Sequence, residues 1–176
     1  MPSKQFLRLP STKQNKVVDA LFHEFTTHSL ANACVARIVT ETGIARGTFY
    51  NYFADLQDAY TYLFGLEMAK IHRPFDLTTD SFSVDEVIHQ LDAFLTEVDQ
   101  RQLRQLLIFH FQTNEGLLKQ SHRQGQWQAH QQVSPLMWAV KTLVHQAINE
   151  ALTEPSQEEA VLHRLRFALN RLQGGD

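Results

Sequence analysis

The sequence predicts an all-α protein, a small three-helix N-terminal domain containing a helix-turn-helix, followed by a helical bundle. Three observations carry this. Apolar residues recur at helical spacing along most of the 176 residues. Seven glycines and five prolines leave few breakpoints. No alternating apolar–polar run is long enough for more than a few residues of strand.

The first helix is expected over about 13–28, with Val17, Val18, Leu21, Phe22 and Phe25 in one apolar stripe. Asn32 is placed to cap a second helix, on which Val35, Ile38 and Val39 turn inward. Gly43 ends that helix, because glycine accepts the left-handed conformation that often follows a helix. Ile44 then plugs a tight turn, and a third helix runs from about Ala45 to Tyr52. Helix, short glycine-containing turn and helix make the helix-turn-helix arrangement. A fourth helix over about 54–71 carries Leu56, Tyr60, Leu63, Phe64, Met68 and Ile71 on one face. The domains are expected at 1–55 and 56–176.

Pro74 and the polar run "DLTTDS" interrupt the chain. Ser83 and Glu86 form a capping-box pair before a helix over about 84–99. Its stripe is Val84, Val87, Ile88, Leu91, Phe94, Leu95 and Val98. The segment "LRQLLIFHFQ" is apolar nearly all round, so it is expected in the middle of the body. A helix over 114–132 is weakened by Gly116 and Gly125. Ser134-Pro135 is an N-cap with proline at the first helical position, opening a helix to about Leu152. Pro155 interrupts, and Ser156 with Glu159 makes a second capping box before the last helix. These two helices form a hairpin that can pack on its own body, on a twin, or on both.

Composition bounds the rest. Hydrophobic residues at 43% and charged ones at 20% read as a folded, soluble chain. The net charge of −3 argues against nucleic acid until it is divided. Residues 1–53 hold Lys4, Arg8, Lys13, Lys16, Arg37 and Arg46 against Asp19, Glu24 and Glu41, a net +3 that leaves −6 for the remainder. A basic head on an acidic body suits a molecule that offers one end to an anion. Cys34 is the single cysteine, so no intramolecular disulfide can form. No apolar leader and no run of 18 apolar residues is present, so a cytoplasmic location without a membrane partner is expected.

One stretch, "GIARGTFYNYF" at 43–53, puts four aromatic rings and one arginine into a short helix. Steps of 100° turn Phe49 and Phe53 inward and leave Ala45, Arg46, Thr48, Asn51 and Tyr52 outward or sideways. With "VVDALFHEF" before it and "DAYTYLF" after it, the run resembles the N-terminal domain of the TetR family of transcriptional regulators. That family has an "I-x-x-A-A-x-x-L-F" first helix, then "I-A-x-x-A-G-V-S-x-G-T-L-Y-x-H-F-x-x-K-x-x-L". Val17, Ala20, Leu21 and Phe25 match the first motif, and Ile38, Gly43, Ile44, Gly47, Thr48, Phe49, Tyr50 and Phe53 match the second. The match covers about residues 13–65; the remainder shares only its helicity. Three positions depart: Leu56 replaces a lysine that touches phosphate, Ala33 replaces a capping threonine or serine, and Tyr52 replaces a histidine.

The resemblance implies a DNA-binding head and a regulatory, dimerising body. Arg46 can reach guanine O6 and N7 in a major groove, and Asn51 can read adenine or touch phosphate. Gly47 leaves room for DNA to approach the backbone. Thr48, Tyr50 and Tyr52 carry hydroxyls suited to phosphate, with half-buried rings as the plainer reading for the tyrosines. Asn32, Lys13 and Lys16 complete the candidate DNA set, the lysines reading equally as solvated surface. The family's homodimer is formed by the last two helices, here through Val140, Leu143, Val144, Ala147, Ile148, Leu162, Leu165 and Leu169. A small-molecule effector pocket would be lined by Phe94, Phe109, His110, Phe111, Trp127, His130, Trp138 and His145, residues that plain core packing explains as well.

No enzyme is expected. None of the nine histidines pairs at i+3 or i+4, one cysteine cannot build a zinc cluster, and no nucleophile elbow or phosphate-cradling glycine loop appears. No catalytic residue, metal or cofactor is therefore assigned. The rival is a helical module of the same fold that works through a protein partner with weak DNA reading, as Leu56 and Ala33 would allow.

Overall fold

The computed structural model describes residues 1–71, 81–121 and 134–174, and of 119–121 the backbone only. Among them every regular element is helical. In order these are α1 (Lys4–Leu7), α2 (Ser11–Thr27), α3 (Val35–Thr42), α4 (Arg46–Tyr52), α5 (Leu56–Ile71), α6 (Val84–Gln100), α7 (Arg104–Phe109), a π-turn (His110–Asn114), α8 (Glu115–Ser121), α9 (Pro135–Thr153), a 3-10 turn (Pro155–Gln157) and α10 (Glu158–Gly174). Packing divides the described residues into two units. One is 1–70 with 109–118, the other 71–108 with 119–174. The sequence expectation sets the division at 55/56; the packing groups α5 with the helices before it, whose core it shares.

In the first unit α2 buries Val17, Ala20, Leu21 and Phe25, α3 buries Val35 and Ile38, and α4 buries Phe49. The valine, leucine, isoleucine and phenylalanine side chains among them stabilise by about 1.5–3 kcal/mol each when fully buried. α1 is an element the periodicity does not reveal, since four residues make barely one turn. Ser3 caps it, its Oγ accepting the Phe6 N–H at 3.2 Å. The Phe6 ring is fully buried against Tyr52, Phe53 and Tyr62, at centroid distances of 5.5, 5.0 and 5.4 Å. Phe6 is the reason Tyr52 corrects the expectation. With a ring to pack on, Tyr52 turns inward and is 8% exposed, so it belongs to the core.

The start of α3 is a second correction. Cys34, not Asn32, stands at the N-cap, and its side chain caps nothing. The cap comes from α2: the buried Glu24 carboxylate accepts the Cys34 N–H at 2.8 Å. Glu24 also holds Arg37 in a fork, with hydrogen bonds of 2.6, 2.8 and 3.1 Å. Arg37 donates onward to the Asn32 carbonyl at 2.8 Å. Asn32 itself is spent on Ser29, donating Nδ2 to Oγ at 3.2 Å. Gly43 ends α3 at φ 72°, the left-handed conformation expected of it.

Farther along, the π-turn places His110 flat on Phe64, with 3.9 Å between centroids, and its Nδ1 shares a hydrogen bond with Tyr60 Oη at 3.0 Å. Burial, with a smaller opposing effect from Asn114, holds the Tyr60 phenol well above its usual range, so it stays protonated. The buried Asn114 accepts the Leu30 N–H at 2.9 Å.

In the second unit Ser83 Oγ accepts the Glu86 N–H at 3.3 Å, the capping expected for α6. Val84, Val87, Ile88, Leu91, Leu95 and Val98 are buried, while Phe94 is half-buried. Ser134 caps α9 through the Met137 N–H at 3.2 Å, with Pro135 at the first turn. Ser156 does not cap α10: the chain enters through a 3-10 turn that begins at Pro155 and makes no side-chain cap. Proline's fixed φ suits that turn and leaves Ser156 inside it. The Arg104 guanidinium donates to Asp99 at 2.7 Å and to the Ala151 and Leu152 carbonyls at 3.0 and 3.1 Å. It thereby closes the carboxyl end of α9 with a positive charge.

Candidate nucleic-acid interface

α4 is built to show one face. Its core side is Phe49, Tyr52 and the following Phe53, with Phe49 and Phe53 ring centroids 5.6 Å apart. Its opposite side exposes Arg46, Gly47, Tyr50 and Asn51, with Thr48 half-buried between them. Phe49 meets Tyr50 edge-on at 5.4 Å, which steadies a ring that is 46% exposed. The Arg46 guanidinium lies 5.9 Å from the centre of the Tyr50 ring and has no carboxylate partner among the described residues. A cation on an aromatic plane, unpaired with an acid, remains available to an anion.

Gly47 has no packing reason inside the chain. A Cβ built there meets nothing within 4 Å. Glycine inside a helix costs about 0.5–1 kcal/mol relative to alanine, so what it gives is a bare backbone toward the outside. Ala45 stands at the N-cap of α4 without a side-chain hydrogen bond, and its carbonyl accepts the Thr48 N–H at 2.9 Å. The expected outward or sideways orientation thus holds for Ala45, Arg46, Thr48 and Asn51, but not for Tyr52.

Lys13 and Lys16 are exposed on α2, and Asn32 is exposed before α3. Arg37 is engaged by Glu24, and Glu41 meets His23 Nδ1 at 3.0 Å. The unpaired positive charge of this unit is therefore carried by Lys4, Arg8, Lys13, Lys16 and Arg46.

The chain resembles several solved structures. The chain is similar to a TetR family transcriptional regulator from Chloroflexus aurantiacus J-10-FL, at 21% identity, with 99% of this chain and 98% of that chain covered and a TM-score of 0.51. The chain has the TetR regulator fold. No protein-family model matches it, and no curated protein matches it. Within the TetR fold, α3, the Gly43 turn and α4 are the helix-turn-helix expected from the sequence, and the likeness extends through the body that the motif left uncovered.

The pocket candidates divide between the two units. Phe109, His110 and Phe111 are half-buried in the first unit, where His110 is taken up by Phe64 and Tyr60. Phe94, Trp138 and His145 belong to the second unit. Trp138 is 57% exposed and His145 is also exposed, so neither lines an enclosed cavity among the described residues. Trp127 and His130 lie outside the described residues, as does most of the expected helix 114–132.

The residues expected at the dimer face divide by burial in the single chain. Val140, Val144, Ala147, Leu165 and Leu169 are buried, because α9 and α10 pack on each other and on α6. Leu143, Ile148 and Leu162 remain half-exposed, and Trp138 with Phe167, at 57% and 60%, supplies the largest outward apolar surface of the two helices. No described helix is long and apolar enough to cross a membrane.

Periodicity along the sequence does not reveal the N-terminal turn. Ser3 donates its N–H to the Tyr52 carbonyl at 2.9 Å and its Oγ to the Asn51 carbonyl at 2.7 Å. The signal present was Phe6, an apolar side chain in an otherwise polar and basic stretch.

Proposed function

We propose that the chain is a sequence-specific DNA-binding transcriptional regulator, a ligand-responsive repressor that binds a near-palindromic operator as a homodimer. The observation that carries this is the outward face of α4. Arg46, Gly47, Tyr50 and Asn51 stand exposed on a helix fixed by aromatic packing beneath it. A helix of this kind fits a major groove about 12 Å wide. Arg46 reads guanine, Asn51 reads adenine or holds phosphate, and Tyr50 and Thr48 grip phosphate without reading sequence. Lys13 and Lys16 add backbone contacts. No catalytic step is part of this reading, and a cytoplasmic location goes with it.

Dimerisation uses the outward sides of α9 and α10, through Trp138, Leu143, Ile148, Leu162 and Phe167. A two-fold pair then sets two copies of α4 one helical repeat apart, about 34–36 Å. An effector acts only by binding the DNA-competent and DNA-incompetent arrangements unequally.

Two substitutions separate reading from gripping. Arg46→Ala relaxes base preference at one operator position, with a loss of about 1–3 kcal/mol against the favoured base. Binding to duplexes varied one position at a time measures it; an unchanged preference profile would place Arg46 outside the groove. Tyr50→Phe weakens all duplexes about equally, by about 1 kcal/mol for a missing hydrogen bond. A loss confined to some sequences would make Tyr50 a reader of bases.

A further inference from the structure

We propose that the N-terminal turn is a second part of the DNA interface, in which Lys4 and Arg8 grip the phosphate backbone at the carboxyl end of α4. This rests on the DNA-binding reading and extends it to residues outside the helix-turn-helix.

Three observations lead there. First, the sequence between Arg46 and Lys70 holds no basic residue, while it holds Asp55, Asp58 and Glu67. Asp55 is exposed, and Asp58 accepts the Ala54 N–H at 3.1 Å directly after α4. A helix lying in a groove is flanked by phosphates on both sides. At its amino end α4 has Arg46; at its carboxyl end its own stretch of chain offers only acids.

Second, the N-terminal turn is joined to that acidic end. Ser3 holds the Asn51 and Tyr52 carbonyls at 2.7 and 2.9 Å, and Phe6 is locked beneath Tyr52 and Phe53. Lys4 follows Ser3 directly, about 3.8 Å farther along the Cα trace. Gln14 Nε2 donates to the Phe6 carbonyl at 3.0 Å, which also ties the turn to α2 and its Lys13 and Lys16.

Third, Lys4 and Arg8 are exposed, and neither has a carboxylate partner among the described residues. Two unpaired cations on a turn anchored by two hydrogen bonds from Ser3 to the Asn51 and Tyr52 carbonyls and by a buried ring move with α4 rather than apart from it. Anchoring of this kind lowers the ordering cost of gripping a phosphate, which long flexible side chains on a loose tail would have to meet. The cations carry no base specificity there; they fix the register of α4 on the duplex.

The test is the salt dependence of binding to one selected duplex, for the full chain and for two double variants. Removing one neutralised phosphate makes the slope of log K against log salt shallower by about 0.9. Lys4→Gln with Arg8→Gln is expected to make it shallower by about 2 for each subunit bound, with an unchanged base-preference profile. Lys4→Arg with Arg8→Lys, which keeps both charges, is expected to keep the slope. A glutamine variant with the slope of the unmodified chain overturns the proposal and leaves the DNA-binding reading standing. So does a charge-keeping variant as shallow as the glutamine one. An unmodified chain with no salt-dependent binding overturns both.

Discussion

Phe6→Ala is expected to lower folding stability by about 3–4 kcal/mol, the largest effect of any substitution in the first 10 residues. The ring is fully buried between Tyr52, Phe53 and Tyr62, so truncation leaves a cavity bounded by three aromatic side chains. Its place near a chain end lets the site collapse in part, which keeps the cost toward the lower end for Phe→Ala. A second consequence is more telling. Without Phe6, Tyr52 loses the neighbour that draws it inward, and Ser3 loses the anchor that holds it to the Asn51 and Tyr52 carbonyls. Duplex affinity then falls under conditions where the variant is still folded. Urea unfolding, with binding measured well below the midpoint, checks both; a stability within about 0.5 kcal/mol of the unmodified chain would show that the turn does not support α4.

Glu24→Ala is expected to cost about 2–3 kcal/mol. The Glu24 carboxylate is 4% exposed, but its Arg37 partner is 45% exposed, so water already screens much of that ion pair. The larger share is the Cys34 N–H, which loses its acceptor at the start of α3. In a chain of this size the melting temperature falls by about 5–10 °C. The sign of the pH dependence follows from the same hydrogen bonds. Burial raises the Glu24 pKa, but the Arg37 hydrogen bonds, the Cys34 N–H and the nearby Arg37 and His28 charges together outweigh it, and the net result is a lowered value. A carboxyl lowered by folding contributes fully above its unfolded pKa of about 4.3 and loses that contribution as the pH falls through its folded value. The gap in melting temperature between Glu24→Ala and the unmodified chain is therefore wide at neutral pH and narrows below about pH 4. A gap that widens on acidification would contradict the assignment.

What the sequence shows and what it hides divide along physical lines. Long stripes are legible: the α6 positions from Val84 to Val98 and the Ser83 and Ser134 caps follow from local spacing alone. The helix-turn-helix is legible because Gly43 marks the turn and Phe49 with Phe53 marks the inner face of α4. Interactions between distant residues are not. Nothing local tells Glu24 that Cys34 and Arg37 will meet it, and Asn32 is the better cap by composition alone. Tyr52 reads as outward until Phe6 supplies a ring from far earlier in the chain. On α9 and α10 the stripe is wide enough for two surfaces, and spacing does not say which one faces the chain's own α6. Packing resolves that, turning Val140, Val144 and Leu165 inward and leaving Trp138 and Phe167 out.

The function proposed for this chain depends on the outward face of α4 entering a major groove of DNA. It is tested most directly by selecting bound fragments from random duplexes and then titrating the selected duplex at several salt concentrations. A recurring near-palindrome is expected, with half-sites about one helical turn apart, and log affinity should fall linearly with log salt. Recovery of unenriched sequences, with affinity no tighter for them than for a scrambled duplex at any salt, would contradict it.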